Sequence, residues 1–201
     1  QLGINDATQR LTPVTTFAGG TNWKQVAAGS LNTAAIKTDG TLWIWGINSS
    51  GQLGLNDIIL RSTPVTTFAG GSNWKQIGVT FSNSPIAIKT DGTLWIWGQN
   101  TSAQLGNNTV VNRSTPVTTF AGGTNWKQVA AGQLNTAAIK TDGTLWIWGG
   151  NGSGQLGNNT TVTRSTPVTT FAGGTNWKQV TGGSTHTVAV TSGSDPTFFI
   201  S

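Results

Sequence analysis

One ten-residue segment, Lys-Thr-Asp-Gly-Thr-Leu-Trp-Ile-Trp-Gly, occurs three times and constrains the fold of this chain more than any other feature. Its copies are Lys37–Gly46, Lys89–Gly98 and Lys140–Gly149. Each follows a short apolar run, and Asp-Gly between such runs predicts a β-hairpin with a two-residue type I′ turn, because Gly favours positive φ and Asp tolerates it. In the strand after the turn, the leucine and isoleucine point to one face and the two tryptophans to the other. Since both faces are apolar, we expect a sheet that is covered on both sides.

The segment belongs to a longer repeat that runs along the chain. Asn-Trp-Lys-Gln, Thr-Pro-Val-Thr-Thr-Phe and Gln-Leu-Gly each occur four times, and the tryptophans of the first motif are spaced by 51, 52 and 51 residues. Each period contains four segments of strand character and no helical periodicity. We therefore predict an all-β fold, a single β-propeller domain over residues 1–201 built from four-stranded blades. Its repeats are approximately 1–51, 52–103, 104–154 and 155–201.

The ends of the chain predict how the ring closes. In the first repeat the expected strands are Trp23–Ala28, Thr33–Thr38, Thr41–Gly46 and Pro64–Phe68. A fourth-strand segment, Pro13–Phe17, precedes them, and the chain ends with three strands at Trp177–Thr181, His186–Thr191 and Thr197–Ser201. We expect the N-terminal strand to complete the last blade, which would remove an open sheet edge. Because the chain starts inside a repeat, missing upstream repeats or assembly with a second chain remain alternatives to closure at four blades.

Several motifs together resemble a known repeat family. They are Gly-Gln-Leu-Gly at Gly51–Gly54 and Gly154–Gly157, Val-Ala-Ala-Gly at Val26–Gly29, the Thr-Pro-Val segment and the hairpin motif. They resemble the regulator of chromosome condensation repeat, in which a His-Thr pair such as His186-Thr187 commonly opens the second strand. The resemblance covers essentially the entire chain and implies a β-propeller. Members of this family include exchange factors for a small nuclear GTPase that bind chromatin, a bacterial inhibitor of β-lactamases, and bacterial and phage surface modules. The resemblance therefore does not fix one function.

The titratable residues predict a protein without catalysis, metal or cofactor. The chain has one His, six Asp, no Glu and no Cys, whereas an active site needs a convergent set of such groups. Asp39, Asp91 and Asp142 are expected to close hairpin turns, and His186 to be hydrogen-bonded inside a blade. The net charge of +5 does not indicate nucleic-acid binding, because no two basic residues are adjacent. No apolar run is long enough to span a bilayer.

The ten tryptophans have two interpretations, core packing and stacking on a ligand such as a sugar ring. We interpret the six in the hairpin motif as blade packing, namely Trp43, Trp45, Trp95, Trp97, Trp146 and Trp148. The four in Asn-Trp-Lys-Gln stand nearer a loop, and we interpret these as packing residues as well.

The loops between third and fourth strands are the candidate binding rim, because binding residues usually lie in loops on a rigid scaffold. The candidate residues are Asn48, Asn100, Asn151, Gln52, Gln104, Gln155, Arg61, Arg113 and Arg164. In the alternative interpretation, Asn and Gln close turns and Arg is a solvated surface charge. If the three loops are equivalent sites that act by avidity, alanine at each arginine should weaken binding by a similar modest amount.

The composition predicts where such a module works. A sparsely charged surface rich in Thr and Asn is typical of an extracellular or virion protein, so we expect a binding or adhesion module on a phage fibre, a virion or a bacterial cell surface. Its partners would be a protein or a glycan, with homo-oligomer formation or attachment to a larger assembly as options. The alternatives are a regulatory protein–protein binder, such as an enzyme inhibitor or exchange-factor-like propeller, and a lectin.

Overall fold

The computed structural model describes residues 1–6 and 8–193, and the backbone of residues 198–200. Its regular elements are fifteen β-strands. Blade 1 contains β1 (Trp23–Ala28), β2 (Asn32–Lys37), β3 (Leu42–Gly46) and β4 (Arg61–Thr66). Blade 2 contains β5 (Trp74–Val79), β6 (Pro85–Lys89), β7 (Leu94–Gly98) and β8 (Arg113–Thr118). Blade 3 contains β9 (Trp126–Ala131), β10 (Asn135–Lys140), β11 (Leu145–Gly149) and β12 (Arg164–Thr169), and blade 4 contains β13 (Trp177–Gly182), β14 (Thr187–Thr191) and β15 (Phe198–Ile200).

Each blade is an antiparallel meander in which consecutive strands are neighbours. The first strands of adjacent blades lie against one another, so the first strand is the inner strand and the fourth is the outer one. This arrangement confirms the predicted all-β fold of four-stranded propeller blades. The fourth strand begins three residues earlier than expected, at Arg61 rather than Pro64. Proline is tolerated inside this strand because it is the outermost of the blade, where no ladder bond on the outer side is lost.

The predicted type I′ hairpin turn is wrong. The Gly40 N–H donates to the Lys37 carbonyl at 2.9 Å, which closes a four-residue turn, and of its residues Gly40 alone has a positive φ, of 80°. A type I turn followed by a left-handed glycine fits this pattern. The Asp39 carboxylate stabilises it by accepting from the Thr41 N–H at 2.9 Å and the Thr41 hydroxyl at 2.7 Å. A Cβ at position 40 would lie 2.1 Å from the Ser72 carbonyl oxygen, so only glycine fits there.

Both faces of the third strand are covered, as the sequence predicted. In blade 2, Leu94 and Ile96 pack in a cluster with Trp126 of blade 3. Trp97, on the opposite face of the same strand, packs in the cluster that holds Ile44 of blade 1. A blade therefore buries its two faces only between two neighbours.

The tryptophans of Asn-Trp-Lys-Gln start the inner strands; Trp74, Trp126 and Trp177 lie in the core, and Trp23 is half-buried. Trp74 and Trp126 are 1% and 2% exposed, and each contacts both tryptophans of its own hairpin motif, with ring centroids 6.2 to 6.5 Å apart. A lysine covers two of the rings in each of blades 1 to 3; in blade 2 the Lys89 ammonium is 4.7 Å from the centroids of both Trp74 and Trp95. The packing interpretation is confirmed for these residues.

The described residues do not show the expected ring closure within the chain. Residues 13–17 contain no strand, and among the described residues blade 4 is a three-stranded sheet. The N-terminal segment lies against blade 1 instead, where the Trp45 indole N–H donates to the Gln1 carbonyl at 2.6 Å. Because the blades follow one another in a row, this segment and blade 4 are at opposite ends of it. Thr197 and Ser201 of the expected last strand lie outside the described residues.

His186 differs from its predicted environment. It is exposed just before β14, whereas the equivalent Asn32 and Asn135 are buried. Asn135 donates through its side-chain amide to the Thr187 hydroxyl of the following blade at 3.0 Å. In the described part of the chain no blade covers this side of blade 4, and His186 is exposed there.

Two leucines, one buried and one exposed, test how much packing between blades contributes to stability. Leu105 is 0% exposed in the cluster with Trp126 and Trp148, and Leu60 is 64% exposed. We expect Leu105→Ala to lower the free energy of unfolding by about 2–5 kcal/mol, because it leaves a cavity at the contact between blades. Leu60→Ala should change it by less than about 0.5 kcal/mol. Urea unfolding followed by tryptophan fluorescence measures both, and equal effects of the two substitutions would contradict the assigned packing.

Candidate functional site

The candidate site is the rim formed by the loops between third and fourth strands, residues 47–60, 99–112 and 150–163, here called the rim loops. Each loop is built around a buried asparagine. The Asn48 amide donates to the Asp57 and Ile59 carbonyls at 2.9 and 3.2 Å, and its carbonyl oxygen accepts from the Leu53 N–H at 2.8 Å. Asn100 and Asn151 make the equivalent bonds in their loops. The asparagines therefore fix the loop conformation.

The glutamines connect each rim loop to the next blade. The Gln52 side chain accepts from the Ser50 N–H at 2.6 Å, and its backbone carbonyl accepts from the Trp97 indole of blade 2 at 3.0 Å. Gln104 repeats the second bond with Trp148 of blade 3 at 2.9 Å. All six amide side chains predicted for the rim belong to residues that are at most 4% exposed. This geometry agrees with the interpretation in which Asn and Gln close turns, and their contact with a partner stays a prediction.

The arginines follow the tips of the loops, and Arg61 is held by an acidic neighbour. Its guanidinium lies 2.6 Å from the Asp57 carboxylate and donates to the Ile59 carbonyl at 2.7 Å. The Ile59 N–H also donates to Asp57, and this bond, followed by those from Arg61, lowers the pKa of the Asp57 carboxyl. Arg10 and Asp6 form the same pair, at 2.6 Å, in the N-terminal segment.

Arg113 and Arg164 have different surroundings. At the place of Asp57 their loops carry Thr109 and Thr160, so no carboxylate stands beside either arginine in the loop. The Nε atom of each is buried and has no hydrogen-bond partner in the part of the chain that the structure describes. The three arginines therefore lack the common environment that the hypothesis of equivalent sites requires.

The tips of the rim loops expose apolar side chains that the sequence reasoning missed. Ile58, Ile59 and Leu60 are 63–66% exposed, as consecutive residues at the tip of the first loop. Val110, Val111 and Val162 occupy the same place in the next two loops and are similarly exposed. A sequence signal for them exists, because the repeats are nearly identical elsewhere but differ at these tips. Exposed apolar side chains next to arginines are typical of protein-binding surfaces.

Metal binding and membrane spanning are two further properties that the described residues allow us to assess. In residues 1–6 and 8–193 no group of three His, Cys, Asp or Glu side chains could hold a metal ion. The same residues contain no helix long and apolar enough to cross a membrane.

Comparison with known proteins gives one family. The model of the Regulator of chromosome condensation (RCC1) repeat matches residues 39–79, 91–139 and 142–190. The Ultraviolet-B receptor UVR8 of Arabidopsis thaliana is 33% identical over 196 residues, which cover 95% of this chain and 44% of the receptor. Probable E3 ubiquitin-protein ligase HERC4 of Rattus norvegicus is 30% identical over 173 residues, which cover 84% of this chain and 16% of the ligase.

A solved structure has the same fold. Prp20p from Saccharomyces cerevisiae, described with its binding to Gsp1p and histones, superposes with a TM-score of 0.74 at 20% identity. The match covers 94% of this chain and 48% of Prp20p. The chain thus spans less than half the length of UVR8, HERC4 and Prp20p.

The ion pair of the first rim loop should be visible in a pH titration. We expect NMR to give Asp57 a pKa below the ordinary value of 3.8, and Arg61→Ala to raise it part of the way back, because the Ile59 N–H bond remains. The pKa of Asp39, which is lowered chiefly by bonds from Thr41, should not respond and serves as the control. The stabilisation of the folded state by the Asp57 carboxylate is complete above pH 3.8 and is lost as the pH falls through the lowered pKa. An unchanged Asp57 pKa in Arg61→Ala would contradict the pairing.

Proposed function

Since the chain belongs to the Regulator of chromosome condensation (RCC1) repeat family, we propose that it is a regulatory protein-binding module without catalysis of its own. The partner would contact the tips of the rim loops. The observation that carries this proposal is the row of exposed apolar tips, each followed by an arginine, at equivalent places in successive blades.

The tips favour a protein partner over a sugar. Isoleucine, leucine and valine side chains gain free energy when another apolar surface removes them from water, at about 25 cal/mol per Å². Sugar rings are instead bound by aromatic stacking and dense polar contacts, and the half-buried Trp43, Trp95 and Trp146 are already covered by lysines. The lectin alternative therefore has less support than the regulatory protein binder.

The arginines suggest the chemistry of the partner. Arg61 is neutralised by Asp57, but Arg113 and Arg164 have no carboxylate in their loops. A guanidinium binds a carboxylate through two parallel hydrogen bonds when the geometry allows. We therefore expect the partner to place Asp or Glu side chains against the second and third rim loops and apolar side chains against the tips.

The relatives support a protein-binding role without identifying the partner. Prp20p is described with its binding to Gsp1p and histones, which are proteins, and the chain covers only 48% of its length. The ligase HERC4 matches over 16% of its length, so its enzymatic activity is not carried over. The location at an extracellular or virion surface that the composition suggested stays a prediction.

A pair of threonine substitutions tests the role of the two arginines. Thr109→Asp with Thr160→Asp should recreate beside Arg113 and Arg164 the ion pair that Asp57 makes with Arg61. We expect peptides selected from a random display library on the native chain to be rich in Asp or Glu beside apolar residues. These peptides should bind the double variant at least about tenfold more weakly, because its arginines are already neutralised.

The control changes charge by the same amount at the other end of the same strands. Thr118 and Thr169 are exposed at the ends of β8 and β12, so Thr118→Asp with Thr169→Asp should leave peptide binding unchanged. Selected peptides that bind both double variants as well as the native chain would overturn the proposed site. A glycan array tests the lectin alternative. Strong glycan binding that survives in the Thr109→Asp, Thr160→Asp variant, with no peptide selected, would favour the lectin.

A further inference from the structure

One lysine stands at the same place in all four blades and is exposed in each of them. It is the second residue of the inner strand, in Asn-Trp-Lys-Gln. The four are Lys24, Lys75, Lys127 and Lys178, here called the inner lysines. Lys75 and Lys127 are exposed although a neighbouring blade packs on each side of their own.

A β-bulge places each inner lysine outside the ladder of its blade. In blade 2, Trp74 pairs with Lys89. Gln76 then pairs with Ile88, so Lys75 has no partner on the second strand. The same shift occurs beside the other three inner lysines. Bulges redirect side chains, and the inner strand is the edge of its blade, so the four ammonium groups extend into solvent along the inner edges of the blades.

The inner strands of adjacent blades lie side by side, which places the inner lysines in one row. These strands approach to within 8 Å between Cα atoms. The Gln25 side chain joins the first two, since it donates to the Ile77 carbonyl at 3.0 Å and accepts from the Ile77 N–H at 3.1 Å. A ligand that spans two blades can therefore contact two inner lysines, and the row attracts anions.

The carboxylates at this end of the blades have other partners. The hairpin turns lie here, because the start of the inner strand pairs with the end of the second strand. The Asp91 carboxylate accepts from the Thr93 N–H and hydroxyl at 2.9 and 2.7 Å, and the equivalent aspartates of blades 1 and 3 make the same bonds. The ion pairs of the described residues are those of Asp6 and Asp57, and neither includes an inner lysine.

Free backbone donors precede each inner lysine. In blade 2 the segment before Lys75 begins with Gly70 and Gly71, which have positive φ of 53° and 83°. The N–H groups of Gly71, Ser72 and Asn73 make no hydrogen bond with the described residues, and the equivalent groups of the other three repeats are free in the same way. Successive N–H groups in such a turn are a common anion-binding arrangement.

We propose that the inner lysines, together with the free N–H groups before them, bind a linear polyphosphate chain. Lysine binds phosphate as a compact point charge from several directions, whereas the planar guanidinium of arginine suits a carboxylate. The inner edge carries lysine in every blade, and the rim carries arginine after each of its loops. A chain of linked phosphates carries charge at every unit, so it can contact the lysines of successive blades. This site is separate from the rim.

The surroundings of the inner lysines favour polyphosphate over a nucleic acid or an acidic protein. Single-stranded nucleic acid stacks its bases on exposed aromatic rings, but Trp74 and Trp126, next to two inner lysines, are only 1% and 2% exposed. A protein interface has an apolar centre, whereas the exposed residues just before Lys75 and Lys127 are glycine, serine and threonine. A fully charged ligand needs neither rings nor an apolar surface.

Calorimetric titration with sodium tripolyphosphate, in buffer without divalent cations, tests the proposal. We expect Lys75→Gln with Lys127→Gln to weaken binding at least about tenfold, because two charge-assisted bonds to phosphate are lost. Orthophosphate should bind at least about tenfold more weakly than tripolyphosphate, since it contacts fewer lysines, and added salt should weaken both. Both lysines are exposed, so the variant should keep the unfolding midpoint of the native chain.

The matched control changes the net charge by the same amount at the outer edge of the blades. Thr118→Asp with Thr169→Asp alters exposed residues at the ends of β8 and β12. The outer strand is three strand spacings, or roughly 14 Å, from the inner strand, and the Debye length is about 8 Å at physiological ionic strength. Tripolyphosphate binding by this control should therefore stay within about twofold of the native value.

Three further anions distinguish the possible ligands. ATP should bind no more tightly than tripolyphosphate, because the inner edge offers no exposed ring to the base. Tighter binding of ATP, of polyglutamate or of oligothymidine than of tripolyphosphate at equal charge would overturn the proposal. It would also be overturned by a native chain that does not bind tripolyphosphate, by a lysine variant that binds it as well as the native chain, or by an equal loss in the control.

Discussion

The stability of this fold depends on packing between blades, because a single blade has two apolar faces and cannot cover either one itself. Burying one tryptophan removes about 150–250 Å² from water, which corresponds to roughly 4–6 kcal/mol as an upper value. In the described chain these rings are buried by the neighbouring blade and by the Gln-Leu-Gly segment of the preceding rim loop. The rim loops are therefore part of the core as well as part of the surface.

Much of the fold follows from the sequence because the repeat fixes which residues share an environment. The hairpin motif predicted β3 to within one residue, and its two apolar faces predicted the contact between blades. The turn type was not predictable from Asp-Gly alone, because the Asp39 carboxylate stabilises a turn that starts at Lys37 by accepting two bonds from Thr41. Such a local bond from an aspartate to the backbone two residues on competes with the turn geometry that Asp-Gly alone predicts.

The candidate site was predicted at the level of the loop but not at the level of its side chains. Six of the nine predicted residues lie in the rim loops and the three arginines directly follow them. The asparagines and glutamines point inward, because buried backbone groups in a long loop need hydrogen-bond partners. Sequence alone does not distinguish an amide that fixes a loop from one that binds a ligand. Arg61 has an acidic partner and Arg113 has none in its loop, because one equivalent position is Asp57 in the first loop and Thr109 in the second. The assumption that the repeats are equivalent did not take this difference into account.

Packing between blades and partner binding are connected through the rim loops. Each loop crosses from its own blade to the next, as when the Asn56 N–H donates to the Ser114 carbonyl at 2.8 Å, so both blades set its position. The N-terminal segment makes the equivalent contact with blade 1, where the Asn5 N–H donates to the Ser62 carbonyl at 3.2 Å. Because the blades hold the loops in fixed positions, weak contacts at several loops would act on one partner by avidity, and no single loop needs to bind tightly.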